Sequence, residues 1–298
     1  LLHEVDSTAN FSRIGGNLAV AISLATARAA AASQGVPLFR YVAGMGDCVL
    51  PAVMGNVLGG GAHAVGGTDI QEFLVTSFDD DVSRAIDANT AVHRAVGAAL
   101  RERFPDTALG KGDEGAWVAP LENVAALELV VEATQSVADE TGVDIRPGLD
   151  LAASEFYRDG EYHYRDRSLT PEEQVDFVVS LIEDYNLHSV EDPLDQEDFE
   201  SWAALTARTD ALVIGDDLYV TNVARLAKGI ELEATNAILI KPNQIGTLTD
   251  TIATVALARE AGLATVISHR SGETTDTAIA HLGVAFGCHA IKTGAVGG

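Results

Sequence analysis

Short apolar runs that stop abruptly on an ionisable residue recur through the second half of this chain. V-E-D-P ends at Pro193, I-G-D-D-L spans Ile214 to Leu218, and I-L-I-K-P-N-Q-I-G spans Ile238 to Gly246. Glu191, Asp216 and Lys241 lie 25 and 25 residues apart, with a helical pattern in each gap. That is the period of a strand-helix unit in a parallel α/β protein, where functional groups gather at the carboxyl ends of the strands. The pattern predicts strands near 146–151, 187–191, 212–216, 237–241, 265–269 and 289–293. Thr170-Pro171-Glu172-Glu173 has capping-box spacing with Pro at the first helical position, and Thr247 to Asp250 is a weaker version. Earlier in the chain, an Ala-rich helix is expected over 17–34, stopping before Gly35-Val36-Pro37. Strand candidates at 50–57 and 70–76 have no room for a helix between them, so they should pair antiparallel. Helices are expected at about 81–104 and 123–141, separated by G-K-G-D-E-G, whose glycines mark a loop. The sum is ββαα(βα)6: an eight-stranded α/β barrel with an irregular beginning, preceded by helices over residues 1–48.

Composition narrows the partners. The 298 residues carry 44 acidic and 19 basic side chains, a net charge of −25, which repels nucleic acid and anionic membranes. Acidic surplus with little Lys suits a salt-rich cytoplasm that screens self-repulsion. Cys48 and Cys288 are too few for a disulfide framework, which fits a reducing cytoplasmic setting. No run of 18 apolar residues marks a membrane span. The beginning at Leu1 and the end at Gly298 close no element, so the chain reads as a piece of something longer.

The strand ends carry the chemistry: Asp150, Glu191, Asp216, Lys241, then His269-Arg270-Ser271, then Lys292. Three carboxylates on adjacent strands repel unless a cation holds them, and all-oxygen ligation favours Mg2+. The plain alternative is a set paired by Arg, but Arg146 is placed to point elsewhere. Lys241, across from a divalent cation, can serve as a base. From a reference pKa of about 10.4, a double charge roughly 7 Å away at an effective dielectric of about 20 would disfavour the ammonium by about 4–5 kcal/mol, or about three pKa units. The competing possibility is a Lys that merely pairs with Asp216. Arg270, Ser271 and Lys292 offer a fork, a hydroxyl and a point charge, suited to a substrate with phosphate and carboxylate. Glu114 and Glu72 are read as free carboxylates able to act as general acids. His63 lies in a glycine-rich loop able to fold over a ligand, though an ordinary loop histidine would look the same.

On these residues the chain resembles the enolase family. The matching segments are N-x-L-G-G-G-x-H (Asn56 to His63), Gln71-Glu72-Phe73, G-D-E-G (Gly112 to Gly115), L-D-L-A-A-S-E-F (Leu149 to Phe156), V-E-D-P, G-D-D-L-Y-V-T-N (Gly215 to Asn222), K-P-N-Q-I-G, S-H-R-S-G-E-T (Ser268 to Thr274) and I-K-T-G-A (Ile291 to Ala295). They run in family order across nearly the whole chain.

The resemblance implies an enolase-type barrel over 49–298, lacking its last helix, with the final helices of a capping domain at 1–48. It implies Mg2+-dependent dehydration of 2-phosphoglycerate to phosphoenolpyruvate in a homodimer or higher homo-oligomer. Asp150, Glu191 and Asp216 would be Mg2+ ligands. Lys241 would be the C2 base, and Glu114 the acid at the C3 hydroxyl with Glu72 beside it. His63, Gln71, His269, Arg270, Ser271 and Lys292 would bind substrate, Arg270 and Ser271 on phosphate and Lys292 on carboxylate. The family's serine loop, which helps hold a second Mg2+, has no counterpart here, so ligands for one of two sites are expected. Gly59, Ala62 and Ala116 depart from the family's usual Asn, Ser and Gly. The remaining alternatives are an acid-sugar dehydratase or racemase of the same superfamily and a non-catalytic binding protein.

Overall fold

The computed structural model describes residues 1–64 and 66–296, with the side chain of His63 outside the description. Eight strands close into a barrel: β1 (Ala52–Gly59), β2 (Glu72–Phe78), β3 (Asp144–Asp150), β4 (Ser189–Glu191), β5 (Leu212–Gly215), β6 (Ala237–Ile240), β7 (Ala264–Ser268) and β8 (Ala290–Lys292). They neighbour one another in chain order, and β8 closes the ring on β1 in parallel, with Met54 opposite Lys292. β2 runs antiparallel to both β1 and β3, as the missing helix between β1 and β2 requires. From β3 onward every pairing is parallel.

The helices are α1 (Gly16–Ser33), α2 (Val82–Arg103), α3 (Asn123–Thr141), α4 (Pro171–Tyr185), α5 (Phe199–Thr206), α6 (Val223–Glu231), α7 (Leu248–Glu260) and α8 (Ala278–Phe286), with shorter turns at Leu2–Asp6, Leu38–Ala43 and Pro242–Ile245. Thr170 makes the full capping box with Glu173, and Thr247 accepts from the Asp250 amide. Gly142 ends α3 in the left-handed region, a conformation glycine adopts without a Cβ penalty.

Three expectations shift. β1 and β2 each begin two residues after their apolar runs. Pro51 has no N–H to give the ladder, and the Ile70 amide is taken by Asn123 Oδ1 at 3.2 Å. Gly110–Lys111, read as loop, pairs with Trp117–Val118, and Trp117 stands in register with Leu58 of β1. Between β3 and α4 the chain also detours through a small sheet of Tyr157–Arg158, Glu161–His163 and Ser168–Leu169.

Alternation along the strands decides what faces inward. Met54, Leu74, Ile214, Ala237, Leu239, Val266 and Ala290 fill the barrel interior as one cluster, while a larger cluster packs the outer strand faces against the helices. Two residues before Leu74 stands Glu72. Two beyond Ile214, Leu239, Val266 and Ala290 stand Asp216, Lys241, Ser268 and Lys292. Each inherits the inward direction at the point where apolar packing ends. Among the described residues no helix is long and apolar enough to cross a membrane.

Candidate active site

Register brings the acids together. Glu72 lies opposite Asp150, and Asp150 opposite Glu191, on three neighbouring strands. Lys292, opposite in the barrel and 3 % exposed, reaches all three: Nζ is 2.9 Å from Glu72 Oε2, 3.1 Å from Asp150 Oδ2, and 3.0 and 2.9 Å from the two Glu191 oxygens. Burial alone would lower the Lys292 pKa, but Asp150, Glu191 and Glu72 together raise it well above its ordinary value. The ammonium is thus fixed as a cation, with its donors committed to the protein's own carboxylates.

Asp216 is held separately. Its Oδ2 accepts from Lys241 Nζ and its Oδ1 from Gln244 Nε2 at 2.8 Å. Burial would raise the Asp216 pKa, yet the Lys241 charge and these hydrogen bonds bring it below the usual carboxylate range. Lys241 moves the other way from the sequence expectation. Burial would lower its pKa, but Asp216 and Glu191 outweigh burial and raise it. The expected lowering came from a divalent charge; the protein's own charges pull in the opposite direction. The pairing of Lys241 with Asp216, set out above as the alternative, is present, and Lys241 also sits among the other site residues.

The expected metal trio is not the tightest one. Among the described residues, carboxylate oxygens of Asp192, Asp216 and Asp217 lie within 4.8 Å of one another, whereas Asp150 and Glu191 are gathered around Lys292 and Asp216 around Lys241. Asp192 has both oxygens occupied: Oδ1 accepts from the Asp216 amide and Oδ2 from the Asp217 amide, each at 2.9 Å. Its backbone is in the left-handed region at φ 42°, a conformation short polar residues tolerate better than most. Asp192 therefore braces the turn that presents Asp216. Sequence reading passed over it inside V-E-D-P, and over Gln244 inside K-P-N-Q-I-G, although both lay in quoted motifs.

The other carboxylates are not free, which corrects the reading of Glu114 and Glu72. Glu114 accepts from Asn56 Nδ2 at 3.2 Å and from Ser271 Oγ at 3.1 Å, and its Oε1 is 3.5 Å from His269 Nε2. Asn56 stands two residues beyond the inward-facing Met54 on β1 and so points inward to reach it. Glu72 is tied to Lys292. Burial, with Asp150 and Glu114 adding to it against Lys292, pushes its pKa up to about 8. Burial also lowers the His269 pKa, leaving a neutral imidazole. Gln71 Nε2 reaches Asp150 Oδ2 at 3.4 Å. Arg270 is exposed and donates to Asn243 Oδ1 at 3.3 Å. The His63 backbone ends the Gly61–His63 turn, and its side chain lies outside the described residues.

One cavity of about 220 Å3 is lined by Gln71, Glu72, Glu114, Asp150, Glu155, Asp192, Asp216, Asp217, Lys241, His269, Arg270, Ser271 and Lys292, while Glu191 lies outside its lining. Whether these residues suit Mg2+ can be judged from their charge. Glu72, Glu114, Asp150, Glu191, Asp192 and Asp216 are all buried, against the ammoniums of Lys241 and Lys292. Burial and then the neighbouring Asp150 drive the Glu191 pKa well above the ordinary value; burial and then Asp216 do the same to Asp192. A carboxylate-rich, all-oxygen, under-compensated pocket suits a hard divalent cation.

Comparison with known proteins agrees on the family. Residues 47–297 match the family model described as Enolase, C-terminal TIM barrel domain, and residues 1–42 match Enolase, N-terminal domain. The whole chain aligns with the Enolase of Methanocorpusculum labreanum at 50% identity, covering 75% of that protein. It aligns end to end with those of Methanosphaera stadtmanae at 49% over 74% of its length, and Natronomonas pharaonis at 50% over 75%.

Proposed function

Because the chain belongs to the enolase family, and is by that membership a hydro-lyase, we propose that it dehydrates 2-phosphoglycerate to phosphoenolpyruvate with Mg2+ at the barrel mouth. The observation that carries the residue assignment is one cavity lined by both Lys241, held by Asp216, and Glu114, held by Asn56 and Ser271. A base and an acid in one cavity are what an elimination across two carbons needs.

Asp150, Glu191 and Asp216 are the residues proposed to hold Mg2+. Asp192 is assigned instead to bracing, through two backbone amides, the turn that presents Asp216. Bound there, Mg2+ would supply a fixed double charge beside the substrate carboxylate, where negative charge builds as the C2 proton leaves. Lys241 takes that proton at Nζ. It must first lose its own, which burial and Lys292 favour and Asp216 and Glu191 resist. Compensation of those two carboxylates thus sets how readily Lys241 acts. Glu114 delivers a proton to the departing C3 hydroxyl, positioned by Asn56, Ser271 and His269. Glu72, whose pKa burial pushes up to about 8, is assigned a place beside it. Arg270 and Ser271 are assigned to the phosphate, and Gln71 and His63 to substrate binding. Lys292 presents fixed positive charge to the carboxylate end.

In the same reading, residues 1–48 belong to a capping domain and 49–298 to the catalytic barrel. The −25 charge reflects adaptation to a salt-rich cytoplasm, and the working form is a homo-oligomer. The test is formation of phosphoenolpyruvate from 2-phosphoglycerate in KCl with Mg2+, repeated after chelation. Product that disappears on chelation and returns with Mg2+ supports the proposal. Turnover of acid sugars in place of 2-phosphoglycerate, or no turnover of either, would overturn it.

A further inference from the structure

The opposite end of the barrel holds a second cluster that the dehydration chemistry does not use. His188 precedes β4 and His289 precedes β8, strands that lie four apart in either direction around the eight-stranded ring. Their rings reach toward each other across the barrel floor until the two Nε2 atoms are 3.4 Å apart. Ring centroids are 5.6 Å apart, farther than the nitrogens, so the two imidazoles meet through their Nε2 edges. Phe78 packs edge-on against His188 with centroids 5.2 Å apart and tilted against His289 at 5.7 Å, fixing both rings from one side. His289 is exposed and His188 partly so.

We propose that His188 and His289 form a two-imidazole site for a borderline transition-metal cation, Zn2+ or Ni2+ in character, clipping opposite sides of the barrel floor. Geometry is the first argument. Two imidazole nitrogens at about 2.0–2.1 Å from a tetrahedral cation are about 3.3 Å apart. The observed separation matches this with both backbones held in place: the His188 amide is bonded to Pro147 O at 2.8 Å and the His289 amide to Thr265 O at 2.8 Å. Chemistry is the second. Imidazole suits Zn2+, Ni2+ and Cu2+, while Mg2+ prefers oxygen, so the floor and the mouth select different ions. Charge is the third. The nearest cation, Arg146, is bound by both oxygens of Asp144, with Nη2 at 2.6 Å from Oδ2 and Nε at 3.0 Å from Oδ1, which offsets the charge it would turn on an incoming ion. Burial, then His289 and Arg146, push the His188 pKa down to about 4, and burial lowers that of His289. Both rings are neutral at pH 7. In the ion-free protein the two Nε2 atoms share a hydrogen bond, one of them carrying the proton; that ring must shift its proton to Nδ1 before both Nε2 lone pairs take the ion.

Because the unfolded chain does not hold the two rings together, binding should stabilise the folded state. The experiment is titration of the purified protein with Ni2+, in the presence of excess Mg2+ to occupy the carboxylate mouth, read by calorimetry and by melting temperature. The wild type should bind one Ni2+ and melt several degrees higher. His188→Gln and His289→Gln should each weaken that binding by about tenfold or more and remove the melting shift, while His163→Gln leaves both unchanged. Ni2+ binding that survives both floor substitutions, or no binding by the wild type, overturns the site. If a floor variant does not fold, Cu2+ added to the wild type gives an independent reading. Coupling of the copper signal to two imidazole nitrogens supports the clip, and oxygen-only ligation refutes it.

Discussion

The two ends of this barrel are built from the same strands and treat charge in opposite ways. At the mouth, carboxylates and ammoniums are buried where β2 begins and β3, β4, β5, β6 and β8 stop, and negative charge exceeds positive. At the floor, Arg146 and Asp144 form an ion pair half exposed to water, and two imidazoles pack against Phe78. Water screens the floor pair and leaves it little to contribute. The mouth cluster lies where screening is weak and each partner depends on the others. The mouth stores electrostatic tension that a substrate and cation can relieve; the floor stores almost none.

The sharpest way to break this contrast is to delete one cation at each end. Lys292→Met leaves Glu72, Asp150 and Glu191 without their shared partner and should lower stability by about 3–5 kcal/mol in urea unfolding at neutral pH. Protonation of Glu72, whose pKa is already pushed up to about 8, tempers the loss. A change below about 1 kcal/mol would mean the mouth is screened like the floor.

A smaller effect tests the brace. Asp192→Ala strands the amides of Asp216 and Asp217, at about 1–3 kcal/mol for a buried donor left unpaired. Mg2+ affinity measured by calorimetry should fall by about tenfold or more, with partial recovery in Asp192→Asn, whose amide oxygen still accepts one bond. Unchanged affinity in a folded Asp192→Ala protein would reduce the residue to packing.

The floor has its own pH signature. The folded-state pKa of His188 is depressed from 6.5 to about 4 by burial, then by His289 and Arg146. Between those values the unfolded chain takes up a proton that the folded protein refuses, so stability present above 6.5 is lost as pH falls toward 4. His188→Gln should flatten the dependence of melting temperature on pH in that window, and an unaltered slope would remove His188 from the acid response. The smallest effect is expected from Arg146→Met. Its ion pair is about half exposed, 49% and 50% for the two partners, and should be worth less than about 1 kcal/mol, with turnover unaffected.

Much of the mouth was legible because strand periodicity and motif spacing agree. Lys241, Asp216 and Lys292 stand two residues past inward-facing apolar positions, so their direction follows from the alternation that defines the strands. What spacing could not reveal is which charges satisfy one another. Lys292 looked like a substrate contact and proved to be bound to three carboxylates; Glu114 and Glu72 looked free and are engaged. Those pairings depend on register across strands far apart in sequence. Asp192 was hidden for a different reason, since its role lies in a left-handed turn and two backbone amides. The small sheet over 157–169 escaped because its two- and three-residue strands are too short for any periodicity to show. At the floor, His188 and His289 are 101 residues apart and meet only when the ring closes.

The central claim is that Lys241 removes the C2 proton and Glu114, in the same cavity, serves the C3 hydroxyl. The direct measurement is exchange of the C2 hydrogen of 2-phosphoglycerate with deuterium in D2O, followed by NMR beside phosphoenolpyruvate formation. The wild type should do both. Glu114→Gln should keep exchange while losing product by about 10²-fold or more, and Lys241→Ala should lose both while still binding Mg2+. Sustained C2 exchange in Lys241→Ala would contradict the account, because the proton would then be leaving to some other base.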